Sequence, residues 1–269
     1  MSKTNKIKVV VAGAAGRMGQ ETVRAILREG DLELVGVAGR RGSELIGQDI
    51  GEIISKRAIG VPLQDNLKDL LDRTKPDVMI DFTVPGTVFM NAQIALEAGA
   101  RPIVGATGLS EEDLRELEKK AKFCDSAVLI APNFALGALL MIECAKKIAR
   151  YFEQVEIIEL HHEKKVDAPS GTSIKTAHAL ASVRDFKHQE LSPDSPARGS
   201  KQHGIRIHSL RLPGLLAHQE VIFGSTGQTL SLRHDTLDRT AFMPGVVMAT
   251  RKIMERKGLV YGLENLLEL

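Results

Sequence analysis

The chain of 269 residues contains only two cysteines, Cys124 and Cys144, in apolar surroundings and without C-x-x-C or metal-like spacing. A disulfide framework is thereby excluded, and two reduced core thiols of a cytosolic protein are expected. Net charge is only +2, too small for a strong nucleic-acid-binding field, although short basic turns can still seat small anions. No segment approaches the ~20 consecutive apolar residues of a membrane span. Lysines precede Val9-Val10-Val11, but Lys8 and the following glycines leave too short an apolar run for a secretory signal. A strand entering a turn accounts for this segment better. Internal repeats and low-complexity tracts are missing too. With 43% hydrophobic residues the chain can bury one large core or two modest ones.

What is present begins at that strand. Lys8-Val-Val-Val-Ala12 reads as buried strand and runs into Gly13-Ala-Ala-Gly-Arg-Met-Gly19. A helix follows with Met18, Val23, Ile26 and Leu27 on one face, stopped by Gly30, and a second strand spans Leu32 to Ala38. This is the strand, glycine turn and helix of a dinucleotide-binding unit, in G-x-x-G-x-x-G rather than the stricter G-x-G-x-x-G spacing. An NAD-selective site ends its second strand with a carboxylate that takes the ribose 2′-hydroxyl. Here Gly39 stands in that place, followed by Arg40 and Arg41. Guanidinium groups pair bidentately with a phosphate, so NADPH is expected to be accepted well and preferred, with NADH as the second cofactor. The competing reading is a solvated arginine turn.

Strands and helices alternate to about residue 131: strand Asp77–Phe82, helix Thr87–Ala98 closed by Gly99, strand Pro102–Gly105, a helix capped by Ser110, and strand Ala127–Ala131. This order implies a doubly wound parallel sheet with its ligand at the carboxyl ends of the strands. Loops Thr83–Gly86, Ala106–Gly108 and Pro132–Phe134 then line the nicotinamide edge. After a helix from about Leu136 to Arg150, strands Ile205–Leu212, His218–Phe223 and Thr229–His234 suit an antiparallel or mixed sheet. Ser192–Gly199 reads as a mobile loop able to close over a site. The expected fold is α/β: a Rossmann-like dinucleotide-binding domain, residues 1–132, completed by a C-terminal helix within about 240–269. A smaller α+β domain, residues 133–239, would bind substrate and oligomerise.

The segment Glu159-Leu-His-His-Glu-Lys-Lys-Val-Asp-Ala-Pro-Ser-Gly-Thr172 carries the densest chemistry. Val155–Leu160 reads as a strand that delivers His161 and His162 to its end, with successive side chains on opposite faces. Ser170 is a good N-cap for a helix whose Ile174, Ala177 and Leu180 fall at helical spacing. Free N–H groups of Gly171 and Thr172 at that helix start offer a carboxylate or phosphate seat, to which Lys165 can add charge. Metal binding is disfavoured, because neither His-x-x-x-His nor His-Glu-x-x-His spacing occurs. Lys164 and Lys165 read equally as a solvated turn.

Val11-Ala-Gly-Ala-Ala-Gly-Arg-Met-Gly19, Asp81-Phe-Thr83, Val104-Gly-Ala-Thr-Gly108, Ala131-Pro-Asn-Phe134, Glu159-Leu-His-His162 and Lys165-Val-Asp-Ala-Pro-Ser-Gly-Thr172 together resemble the 4-hydroxy-tetrahydrodipicolinate (dihydrodipicolinate) reductase family over essentially the whole chain. The last block is highly specific to that family. The resemblance implies NAD(P)H-dependent reduction of a cyclic dicarboxylate in diaminopimelate and lysine biosynthesis. It implies pyrophosphate binding by Gly13, Ala14, Ala15, Gly16, Arg17 and Met18, and 2′-phosphate binding by Arg40. Gly105, Ala106 and Thr107 with Ala131, Pro132, Asn133 and Phe134 would lie at the nicotinamide. His161 and Lys165 match the family's proton donors, and His162, Gly171 and Thr172 its substrate-binding positions, with Ser170 beside them. A cytoplasmic homotetramer built through the second domain is implied as well. Two departures stand out: Gly39 where the family often has an acid, and Ala106 where it has threonine.

Two alternatives remain at this stage. One is a different nicotinamide oxidoreductase of similar plan. The short-chain type is disfavoured, because neither Tyr151 nor Tyr261 has a lysine four residues later. The other is a catalytically silent NADP(H)-binding regulator.

Overall fold

The computed structural model describes residues 6–106, 108–186 and 195–268. The chain forms two compact units, one running to Phe134 and resuming at Phe242–Glu268, the other Ala135–Ala241.

The first unit is a seven-stranded parallel sheet in the order β12-β6-β5-β4-β1-β2-β3. Its strands are β1 (Ile7–Ala12), β2 (Leu32–Ala38), β3 (Leu63–Gln64), β4 (Val78–Asp81), β5 (Arg101–Val104), β6 (Ala127–Ile130) and β12 (Gly258–Tyr261). Central strands such as Val9-Val10-Val11 and Val78-Met79-Ile80 are fully buried, as continuous apolar runs in a parallel sheet require. The strand order reverses between β1 and β4, which places the ligand crevice at their carboxyl ends. Helices α1 (Arg17–Arg28), α2 (Ile50–Ser55), α3 (Leu67–Thr74), α4 (Pro85–Glu97) and α5 (Glu111–Phe123) connect the strands.

Several expectations need correction. Helix α1 buries Gly19, Thr22, Val23, Ala25 and Ile26, while Leu27 is exposed. Its cap is Glu29 rather than a left-handed Gly30. The residues between β2 and β4, which lack strong periodicity, hold two short helices and a two-residue strand. The expected last helix stops early: α8 spans Met243–Lys252, and Gly258, with φ +73°, opens β12 on β6. A four-residue edge strand is too short to show a period in sequence.

The second unit has a five-stranded mixed sheet in the order β11-β10-β7-β9-β8. Its strands are β7 (Gln154–His161), β8 (Ser200–Gln202), β9 (Ile205–Arg211), β10 (Ala217–Ser225) and β11 (Gln228–Thr236). Val155, Ile157, Ile207, Val221 and Phe223 pack one sheet face against α6 (Leu136–Ala149) and α7 (Gly171–Ala181). Helix α7 buries Ser173, Thr176, Ala177 and Leu180, whereas Ile174 is exposed. Cys144, expected in the core, is exposed on α6, and both cysteines are free. Residues 192–194 of the supposed closing loop lie outside the described residues. Pro196–Arg198 forms a 3-10 turn, and Arg198 pairs with Glu156 on β7.

Candidate active site

In the first unit the β1–α1 turn is shaped by close backbone approach. Gly13 has φ +77°, and a Cβ there would meet the Phe82 carbonyl oxygen at 2.7 Å. A Cβ on Gly19 would lie 2.1 Å from the Gly13 oxygen, so only glycine lets α1 pack against its own entry turn. The N-cap of α1 is Gly16, with no side-chain cap and no acid in the first turn. Helix α4, entered through Val84 beside the same crevice, also lacks both. By contrast, α2, α3 and α5 are capped by Asp49, Asn66 and Ser110, the last in a complete capping box with Asp113. The open donors of α1 are therefore available to a dinucleotide pyrophosphate, and no carboxylate competes for them.

Ala14 is buried, Ala15 and Met18 are partly exposed, and Arg17 is exposed. Arg40 and Arg41 are exposed just beyond β2, and neither guanidinium has a partner among the described residues. At Gly39 a Cβ would come within 2.9 Å of Leu63 Cδ2, so any side chain there, including the acid of an NAD-selective site, requires the buried Leu63 side chain to shift. Gly105 backs onto the Phe82 ring, which makes an edge contact with Phe134 at 5.6 Å between ring centroids. Ala131 and Phe134 are buried, Ala106 and Asn133 partly so, and Pro132 is exposed. Thr107 lies outside the described residues. One buried acid in this region had no expected role: Asp81 accepts hydrogen bonds from Thr83 N (2.7 Å), Thr83 Oγ1 (2.6 Å) and Asn91 Nδ2 (2.9 Å). Burial pushes its carboxyl above the ordinary range against those bonds.

In the second unit β7 ends at His161, whose Nδ1 contacts the Glu159 carboxylate. Glu159 is fully buried, points to the same sheet face as His161, and receives both Nη atoms of Arg211 from β9 at 2.8 and 2.9 Å. Its Oε1 also accepts the Ser170 N–H at 3.1 Å. Burial raises the Glu159 carboxyl, but hydrogen bonds from Arg211, Ser209 and His161 prevail and hold it below the ordinary value. His161 is lowered chiefly by burial, with the charges of Lys165 and Arg211 acting the same way and Glu159 opposing.

The turn after β7 closes through Lys165 N–H to the His162 carbonyl at 3.1 Å, and Lys165 Nζ contacts both Asp167 oxygens at 2.8 Å. Ser170 is buried and fully engaged: it caps α7 through Ser173 N at 3.2 Å and shares a hydrogen bond with the Ser173 hydroxyl. It therefore positions the helix start, and Gly171 and Thr172, the first two helical residues, have no intrahelical acceptor for their N–H groups. His162 is partly exposed immediately past the strand. His161, Lys165 and the start of α7 are thus joined through Glu159 and Arg211. Sequence reasoning missed Arg211, because only strand pairing of β9 with β7 places it opposite His161.

Family models described as dihydrodipicolinate reductase, N-terminus, and dihydrodipicolinate reductase, C-terminus, match residues 7–134 and 137–267. The chain is 48% identical over 266 residues to 4-hydroxy-tetrahydrodipicolinate reductase of Listeria monocytogenes serotype 4b (strain F2365), covering 97% of this chain and 100% of that relative. Among solved structures it resembles a dipicolinate-bound dihydrodipicolinate reductase from Paenisporosarcina sp. TG-14, with TM-score 0.86 and 43% identity over 97% of this chain and 100% of the other. An amine dehydrogenase from Mycobacterium smegmatis, at 15% identity and TM-score 0.69 over 98% of this chain and 96% of its own, shares the fold.

Proposed function

Because the chain belongs to the dihydrodipicolinate reductase family, we propose that it reduces 4-hydroxy-tetrahydrodipicolinate to tetrahydrodipicolinate in diaminopimelate and lysine biosynthesis, within the cytoplasm. The net change adds a hydride and a proton and releases water. The observation that carries this reading is the joining of His161, Lys165 and the α7 N-terminus in one hydrogen-bonded cluster. Reduced nicotinamide, when bound, supplies the hydride.

The protein's own groups do the rest. Glu159, an acceptor only, fixes the His161 proton on Nδ1 in the neutral ring and leaves Nε2 facing away from the carboxylate. In the imidazolium form Nε2 carries a second proton, which His161 delivers with Lys165 as the other member of the proton-delivery pair. Lys165 and the N–H groups of Gly171 and Thr172 hold one substrate carboxylate, and His162 helps orient the ring. Dipicolinate, the ligand in the related Paenisporosarcina structure, has the same two carboxylates on a six-membered ring.

NADPH is the preferred cofactor in this reading, supported by an Arg40 guanidinium without a partner among the described residues and by the crowding at Gly39. The second unit is proposed to assemble a homotetramer through the sheet face opposite α6 and α7. On that face Leu210 is 37% exposed, beside the partly exposed Ile158, Leu160 and Ile222. Sedimentation as a monomer would refute the assembly.

The direct test couples the purified protein to a synthase that makes substrate from pyruvate and aspartate semialdehyde, and follows nicotinamide absorbance. Expected are substrate-dependent oxidation favouring NADPH and loss of turnover by 100-fold or more, on the order of a missing proton donor, in His161→Gln and Lys165→Ala. Cofactor binding without oxidation would favour a silent regulator instead.

A further inference from the structure

Arg211 lies at the centre of the polar network of the second unit. Its guanidinium has five N–H donors, and the structure supplies five acceptors for them. Nε donates to the Lys165 carbonyl at 3.3 Å, while Nη1 donates to Glu159 Oε2 at 2.9 Å and the Leu210 carbonyl at 2.7 Å. Nη2 donates to Glu159 Oε1 at 2.8 Å and the Asp167 carbonyl at 2.7 Å. One planar group thus joins the carboxylate beneath His161 to the backbone on both sides of Val166. The same carboxylate takes the Ser170 N–H, which adds the start of α7 to the assembly.

We propose that Arg211 and Glu159 are a positioning pair for the reductase reaction: Arg211 locks the backbone of the Lys165–Asp167 loop to the carboxylate that orients His161, so both proton-handling side chains and the substrate-carboxylate seat move as one constellation. This rests on the roles given above to His161 and Lys165. Neither member of the pair needs to touch substrate. Lysine cannot replace Arg211, since its three donors leave one atom and cannot reach both Glu159 oxygens and two loop carbonyls at once. The fork also explains how an exposed loop carrying Val166 at 98% exposure can present Lys165 in a fixed place.

The charges acting on His161 are Glu159 from its own strand, Lys165 from the loop and Arg211 from β9, while β10 places uncharged Ala217 opposite it. Glu159 favours the imidazolium, so removing its charge disfavours protonation of His161.

The test compares wild type, Arg211→Lys, Glu159→Gln and His161→Gln by steady-state kinetics across pH, with dipicolinate affinity measured by calorimetry. In Arg211→Lys, kcat is expected to fall about tenfold or more, and by a larger factor than dipicolinate affinity, because misplacement of the proton donors costs rate more than binding. In Glu159→Gln the alkaline fall of kcat/KM is expected to move to lower pH by about one unit. A purely structural role would lower the amplitude of the pH profile without moving it. Wild-type kcat in Arg211→Lys, or an unmoved limb in Glu159→Gln, would overturn the pair. If Arg211→Lys does not fold, Glu159→Gln decides alone. Wild-type turnover in His161→Gln would instead sink the parent reading, so the two failures are distinguishable.

Discussion

Helices α1 and α7 begin in opposite ways, although each is proposed to receive an anion. Helix α1 starts at Gly16, with no side-chain cap, no acid in its first turn and a turn made of small residues. Helix α7 starts at Ser170, whose hydroxyl and N–H are both engaged in a buried polar network running through Glu159 to Arg211 and His161. The first seat works by omission: side chains are kept away, and backbone donors stay open for a ligand with its own charges. The second works by saturation. Glu159, Arg211, Ser170 and Ser173 are all hydrogen-bonded to one another or to the adjoining backbone, which leaves the Gly171 and Thr172 N–H groups and the Nε2 edge of His161 to face a ligand. A seat made of backbone should therefore be sensitive to added bulk, and a seat made of a network to the loss of one member.

The most severe break is Glu159→Ala, which leaves the Arg211 fork without its carboxylate in a largely buried site; a stability loss of about 3–5 kcal/mol is expected in denaturant unfolding. The reciprocal break in the first unit is Gly19→Ala. Its Cβ, 2.1 Å from the Gly13 oxygen, forces α1 away from its turn, and a loss of about 1–3 kcal/mol should appear together with weaker NADPH binding in a fluorescence titration. Arg40→Ala should raise the NADPH KM about tenfold, roughly 1.4 kcal/mol, and leave that for NADH nearly unchanged. Gly39→Asp alone should not restore NADH selectivity, because its Cβ meets Leu63.

A smaller effect distinguishes the units by pH. His161 is depressed in the folded protein below the ordinary value of 6.5, so the unfolded chain takes up its proton first and acidification through that window favours unfolding. Glu159 is also depressed; the stability it contributes is complete above the ordinary carboxylate value and is lost as pH falls through the lower folded one. Both act in the same direction at different pH. His161→Gln should flatten the upper part of the decline in unfolding free energy, by at most about 1.4 kcal/mol per pH unit. The smallest change belongs to Ser110→Ala, which removes the capping box of α5 for about 1 kcal/mol and leaves cofactor affinity as it was, in contrast to changes at the uncapped α1.

Much of the first unit could be read from residues in order. The β1 run, the glycine turn and the Ser110 capping box depend on neighbours within a few positions, and local periodicity and turn chemistry report them. Where local signals are short, the reading failed: β12 has four residues and β3 two, and each is a strand only through its pairing with β6 or β2 at an edge of the sheet. Cys144 and Leu27 were misplaced because an apolar helix face in sequence does not say which side meets the sheet.

The same division holds in the candidate site. His161, His162, Lys165, Gly171 and Thr172 lie within one short segment, so their types and order were enough to raise the reading, proposed above, of proton chemistry beside an anion seat. Asp81 with Asn91, and Glu159 with Arg211, were not legible as pairs, since the first spans a strand–loop–helix and the second joins strands 52 positions apart in the chain. The sequence by itself determined the alternation of strands and helices, the open glycine turn and the reactive groups, because each depends on contacts between near neighbours. Only the tertiary structure decided which carboxylate orients His161 and which cation holds its loop, because burial and strand register set those contacts.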